Sequence, residues 1–166
     1  MTTLAILPGT FDPPTLGHLS ILRRAAKLFD QIVVLVAVNP DKETWFKPQE
    51  RAQMWTEITA DLANVTVEVT DDLVAAFASR QVDATPVLIR GIRSDEDLEF
   101  ELLLAGANRE LGHGLETVFF PPGPSFGDIS STVVRERLRS GESVDALLHP
   151  RTTRRVRQFQ QGCQTR

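Results

Sequence analysis

Thr10 and His18 lie in a glycine- and proline-rich segment, Pro8-Gly9-Thr10-Phe11-Asp12-Pro13-Pro14-Thr15-Leu16-Gly17-His18, that follows the apolar stretch Leu4-Ala5-Ile6-Leu7. The chemistry such a segment suits is the holding of phosphate. Backbone amides at a helix N-terminus attract anions, and Gly9 and Gly17 let the main chain approach a ligand closely. Thr10 adds a hydroxyl and His18 an imidazole to the same opening. A helix dipole disfavours an added positive charge at that end, so a neutral donor is the simplest role for His18. The competing reading is a histidine that only caps its own helix.

Other residues fit the same chemistry. Arg90-Gly91-Ile92-Arg93 sets two guanidinium groups round a glycine, and the arginine fork matches phosphate in a bidentate way. The alternative is a surface pair held by Asp95, Glu96 or Asp97. Lys42 follows a strand end, where a lysine is commonly just solvated. Ser130, Ser131 and Thr132 precede a helix and can cap it, hold phosphate, or do both. Glu101 either reaches a ribose or a bound cation, or is salt-bridged.

The elements that position these groups can be read from periodicity. Thr3 to Leu7, Gln31 to Val38, the alternating Val65, Val67 and Val69, Pro86 to Arg90, and Glu116 to Phe120 read as five strands. The run QIVVLVAV suits a strand buried on both faces. Pro86 is tolerable only as a first strand residue. Helices are expected over Leu16 to Phe29, Pro48 to about Ala60, about Asp72 to Arg80, a long one opened by Ser94 and running to Leu111, and one that follows Ile129-Ser130-Ser131-Thr132 and runs to about Ser140, with a short helical turn over Val144 to Leu148. Along 94–111, Phe100, Leu104, Ala107 and Leu111 form one apolar seam and Leu98, Leu102 and Ala105 another. Such a helix needs two partners, one of them a possible second subunit. From Pro150 the chain is polar and basic apart from Val156 and Phe159, and reads as a C-terminal surface helix or tail that frays. Strands alternating with helices predict an α/β fold, a Rossmann-like doubly wound five-stranded parallel sheet with helices on both faces. Ligands bind such sheets at the carboxyl ends of the strands, where all of these candidate groups fall.

Composition bounds the partners. The 166 residues read as one domain, with 42% apolar residues and one cysteine, Cys163, so no intrachain disulfide is available. A net charge of -4 argues against broad nucleic-acid binding. No leader pattern and no apolar run of roughly 18 residues is present, so neither a membrane partner nor a location outside the cytoplasm is expected. No serine, cysteine or histidine arrangement suggests a covalent nucleophile. Attack of an acceptor phosphate on the α-phosphate of a nucleotide, helped by His18, Lys42, Arg90, Arg93 and Mg2+, fits better.

The segments PGTFDPPTLGH, NPDKETWFKPQER, LIRGIRSDEDLEFELLLAGANREL and ISST stand in an order and approximate spacing that resemble the nucleotidyltransferase superfamily, and within it the bacterial phosphopantetheine adenylyltransferase family. The resemblance covers nearly the whole chain. It implies a single nucleotidyltransferase domain over residues 1–166 that transfers AMP from ATP to 4'-phosphopantetheine, with Mg2+, in a cytoplasmic homohexamer. By matched position, Thr10, Lys42, Val74, Arg90 and Asn108 would contact phosphopantetheine. Thr10, Phe11, His18, Gly91, Ile92, Arg93, Glu101 and the loop Phe126, Gly127, Asp128, Ile129, Ser130, Ser131 and Thr132 would contact ATP. His18, Lys42 and Arg93 would be catalytic, His18 by stabilising the transition state.

The chain departs from the family at Phe126-Gly127-Asp128, where the usual pattern is aromatic-Ser-aromatic. Asp128 would either point outward or help hold the cation. Thr15 stands where the related nicotinate mononucleotide adenylyltransferases usually carry a histidine, and Ile129 to Arg135 looks somewhat like their corresponding segment. Nicotinate mononucleotide is therefore the second acceptor, and a nucleotide-binding module without turnover is the alternative of another class.

Overall fold

The computed structural model describes residues 2–164. Strands β1 (Thr2–Gly9), β2 (Gln31–Ala37), β3 (Val65–Thr70), β4 (Ala84–Gly91) and β5 (Glu116–Phe120) alternate with helices α1 (Leu16–Ala25), α2 (Pro48–Ile58), α3 (Val74–Ser79), α4 (Asp95–Leu111) and α5 (Ser131–Arg139), and α6 (Pro150–Gln164) follows. The strands form one parallel sheet in the order β3-β2-β1-β4-β5. This is the expected doubly wound sheet, and its order reverses between β1 and β4.

Side-chain alternation along the strands divides the core between the faces. Ala5 and Leu7 of β1, with Val34 and Val36 of β2, meet Leu19 and Leu22 of α1 and Trp55 and Ile58 of α2. Leu4, Ile6, Val33 and Leu35 meet Ala75, Phe77 and Ala78 of α3 on the opposite face. Pro86 is the third residue of β4 rather than its first. Pairing with β5 begins only at Val87, so Pro86 stands where one side of the strand has no ladder to join. Among the described residues, no helix is long and apolar enough to cross a membrane.

Two helices differ from the sequence reading. In α4 the buried residue is Glu101, while Phe100, Leu102, Leu103 and Leu111 are exposed, Leu103 by 76%. Leu104 and Ala105 are half-buried, and the rest of both apolar seams of α4 is left uncovered by this chain. In α6, Val156 is fully buried and Phe159 packs beside it, in a cluster with Phe46, Ile129, Val134 and Leu148. The segment expected to be a fraying surface helix is thus tied to a third core that also takes in Leu16, Phe126 and Val133.

A polar knot joins the loops at the carboxyl end of the sheet. Asp12 is 2% exposed, and its carboxylate accepts the amides of Trp45 at 2.8 Å and Phe46 at 2.9 Å. Arg51 is equally buried on α2 and donates to the carbonyls of Phe46 at 3.1 Å and of Thr10. Burial lowers the pKa of Arg51 and the Asp12 charge opposes that shift, yet a guanidinium stays protonated in either case. From α5, Arg135 donates to the main-chain carbonyl of Asp12 at 2.6 Å. Loops after β1 and β2 and the first turns of α5 are therefore fixed to one another without a ligand.

Asp12→Asn keeps the shape of the side chain but sets an NH2 group against an amide donor. It should lower the unfolding free energy by about 3 kcal/mol, measured as a shifted urea midpoint with an unchanged slope. A loss below about 1 kcal/mol would show that the carboxylate does not hold the loops.

Candidate active site

At the sheet's reversal point a cavity of about 520 Å³ is lined by Leu7 to Asp12 at the end of β1 and by Ile89 to Arg93 at the end of β4. Most of the groups expected from sequence lie in its wall. Thr10, Phe11 and His18 come from the loop and helix after β1, and Lys42 from the loop after β2. Arg90, Gly91, Ile92, Arg93 and Glu101 come from the end of β4 and from α4. Phe126, Ile129, Ser130, Ser131 and Thr132 come from the approach to α5.

Val74, Asn108, Gly127 and Asp128 are not part of that wall. Val74 opens α3 and packs against the second core cluster. Asn108 sits in the last turn of α4, where its carbonyl accepts the Gly112 amide at 2.8 Å. Asp128 is exposed.

Two helix starts open on the cavity. At α1, Thr15 is the N-cap and the Leu16 amide donates to the Leu147 carbonyl at 2.9 Å. At α5, Ser130 caps by accepting the Val133 amide at 3.1 Å, and the Ser131 hydroxyl donates to the Pro13 carbonyl at 2.8 Å. The opening amides of a helix have no intrahelical partner, which leaves those of Gly17, Ser131 and Thr132 to meet an anion. A Cβ on Gly17 would come within 3.2 Å of the Ile129 carbonyl, so glycine is what lets the two helix starts meet.

His18 caps its own helix, as one of its two readings supposed, and also lines the cavity. Its Nδ1 accepts the Thr15 amide at 3.1 Å and lies 3.0 Å from the Thr15 hydroxyl. A neutral imidazole that accepts at Nδ1 carries its proton on Nε2, a tautomer assigned from these hydrogen bonds. Burial, followed by the charges of Arg93 and Arg90, pushes the His18 pKa down from 6.5 to about 4. The cap thus prepares a neutral donor.

Phe11 supports that arrangement from below. Its backbone has a φ of 52°, and its buried ring meets His18 and Trp55 edge-on at centroid distances of 5.1 and 5.0 Å. A Cβ on Gly9 would lie 2.7 Å from that ring. The Phe11 side chain is a core group, which leaves its main chain to face a ligand.

The arginines are held more firmly than the sequence reading allows. Arg90 donates Nε to Glu101 at 2.7 Å, Nη2 to the other Glu101 oxygen at 2.5 Å and Nη1 to the Pro8 carbonyl at 2.9 Å. Glu101 is 7% exposed with both oxygens on Arg90, so the salt-bridged alternative describes it. Arg90 retains one hydrogen on each terminal nitrogen for an anion. Arg93 is paired with Asp97 through Nε at 2.9 Å, as the surface-pair alternative supposed, yet it lines the cavity. Lys42 is exposed at the rim, and its ammonium forms no ion pair among the described residues.

Sequence reasoning passed over Asp12, Arg51 and Arg135. Arg51 shares a helical seam with Met54, Trp55 and Ile58, all buried, and a cation at a core position of an apolar stripe is the signal that could have found it. Among the described residues, no three histidine, cysteine or acidic side chains are grouped as a metal site. The carboxylates of Asp12 and Glu101 are committed to protein donors. Lys42, Arg90, Arg93 and the amides of two helix starts give the wall groups suited to an anion.

Residues 6–137 match the cytidylyltransferase-like family model. The chain is 45% identical over 157 residues to a phosphopantetheine adenylyltransferase from Sodalis glossinidius, covering 95% of this chain and 97% of that protein. It is 40% identical over 154 residues to one from Symbiobacterium thermophilum, covering 93% and 94%. In fold it is similar to a Vibrio parahaemolyticus protein described as a nicotinate-nucleotide adenylyltransferase, with a TM-score of 0.68, 19% identity and coverage of 93% and 97%. That last similarity concerns the fold alone.

By NMR, the His18 ring should titrate with a midpoint near 4, with the Nε2-protonated form present through neutral pH. A midpoint near 6.5, the ordinary value, would contradict the site's electrostatics.

Proposed function

The chain belongs to the phosphopantetheine adenylyltransferases within the cytidylyltransferase-like family, and we propose that it transfers AMP from ATP to 4'-phosphopantetheine. The acceptor phosphate oxygen bonds to the α-phosphorus of ATP while the bond from that phosphorus to the bridging oxygen breaks, so pyrophosphate leaves and dephospho-coenzyme A forms. The observation that carries this reading is the meeting of a fixed neutral histidine with two helix starts in one cavity.

Most of the acceleration comes from positioning and charge neutralisation. His18 donates through Nε2 to an oxygen on the α-phosphorus, where charge is redistributed during transfer. Thr10 lies between the two phosphates. Arg90, aimed by Glu101 and the Pro8 carbonyl, and Lys42 hold the acceptor phosphate. Arg93 and the amides of Ser131 and Thr132 hold the polyphosphate of ATP. Mg2+ would be held by the phosphates of ATP and by water rather than by carboxylates of this chain, and would offset phosphate charge during transfer. A cytoplasmic location fits the use of ATP, and the exposed apolar side of α4 supports assembly into a homohexamer.

An assay following pyrophosphate with Mg-ATP should respond to phosphopantetheine alone. Release only with nicotinate mononucleotide would replace the acceptor, and ATP binding without release in any case would make the chain a module without turnover. His18→Ala should lower kcat by about 10²–10³-fold with ATP affinity preserved, because the contact strengthens in the transition state. An equal loss of ATP affinity would contradict that role. Light scattering should give six times the 18.5 kDa chain mass, and a monomer's mass would refute the assembly.

A further inference from the structure

Lys42 belongs to residues 38–47, between β2 and α2, of which Lys42, Glu43 and Thr44 line the cavity. At the start of this loop the Asp41 amide donates to the Asn39 side chain at 2.9 Å and the Lys42 amide to the Asn39 carbonyl at 3.1 Å. At its end the amides of Trp45 and Phe46 are on Asp12. Those bonds fix the main chain. The two aromatic side chains need a seat of their own.

They find it on the part of the chain beyond residue 137, where the family match ends. Phe159 of α6 stacks on Trp45 with ring centroids 5.8 Å apart and planes 20° from parallel, and packs on Phe46 at 4.8 Å. The Arg139 guanidinium lies over the Trp45 ring at 5.3 Å. Val156, on the same face of α6, is fully buried in the cluster that contains Phe46. A salt bridge from Arg155 to Glu57, with the Arg151 guanidinium on the Glu57 carbonyl at 2.6 Å, ties the helix to α2. The apolar face of α6 is therefore used on this loop and the core beneath it, away from the central sheet.

We propose that α6 is a positioning element for adenylyl transfer, in which Phe159 and Arg139 hold Trp45 so that Lys42 stands at the rim of the cavity. This rests on the role given to Lys42 above. Lys42 has a long, flexible side chain whose ammonium forms no ion pair among the described residues, so the place of its charge depends on where the loop holds its Cα. Phe159 acts through that loop and is a positioning residue.

The test is Phe159→Ala in the full chain, alone and combined with Lys42→Ala, with Phe159→Tyr as the conservative variant. Phe159→Ala should raise KM for phosphopantetheine by about tenfold, the order expected for a misplaced charge, with ATP affinity unchanged, and Phe159→Tyr should restore it. In the Lys42→Ala background, Phe159→Ala should change KM less than about twofold, since coupled residues are non-additive. Hydrogen exchange should quicken at residues 42–46 in Phe159→Ala while β1 and β4 keep their protection. Should Phe159→Ala fail to fold, Arg139→Ala, an exposed change, should shift KM and exchange in the same direction. Unchanged exchange at 42–46, or a full additional effect in the Lys42→Ala background, would overturn the proposal. If phosphopantetheine is no substrate but the exchange result holds, the function assigned above fails and the seating of the loop stands.

Discussion

The Asp12 carboxylate is withdrawn from water, and it is tolerated there because two successive amides, from Trp45 and Phe46, donate to it. Those amides belong to another loop. One buried charge therefore decides how the segments after β1 and β2 lie against each other. Arg51 supplies the opposite charge from α2 and takes up the carbonyls of Thr10 and Phe46, while Arg135 joins α5 to the same knot. A parallel sheet offers its strand ends as a place for ligands; this knot turns those ends into a fixed surface.

On that surface the hydrogen-bond accounting of one residue sets the chemistry. The Thr15 amide occupies Nδ1 of His18, so the remaining nitrogen is a donor and the ring is not a nucleophile while the cap holds. Burial and two nearby guanidinium groups keep the ring neutral. A charged imidazolium would add attraction for phosphate but would oppose the dipole of α1. The structure resolves that conflict by taking polarity from the N–H bond and charge from Arg90, Arg93 and Lys42.

The sheet, its strand ends and most of the cavity wall are legible in the sequence because they rest on local signals. QIVVLVAV can be little else than a buried strand, and glycines and hydroxyls at strand ends mark the helix starts. What escapes depends on pairs brought together by the tertiary fold. Glu101 stands in the sequence between a ribose, a cation and a salt bridge, and only the fold shows the Arg90 fork closing on it. Asp12 sits in a loop where an acidic residue is unremarkable, and Arg51 is informative only once its neighbours are known to be buried. The α6 helix looks like a tail because its polar face dominates the composition, whereas Val156 and Phe159, two apolar residues on one side, suffice to anchor it. In α4 the apolar seams are real in sequence yet remain largely uncovered within the chain, since periodicity cannot say which molecule will cover them.

The account comes down to direct transfer between two substrates held in line, with His18 as a donor and no adenylylated enzyme. Transfer from an ATP analogue made chiral at the α-phosphorus by sulfur substitution tests that claim most directly, with the configuration of the product read by phosphorus NMR. A single in-line displacement predicts inversion at that phosphorus. Retention would mean two displacements through an enzyme-bound adenylate, and would contradict both the donor role of His18 and the direct reaction.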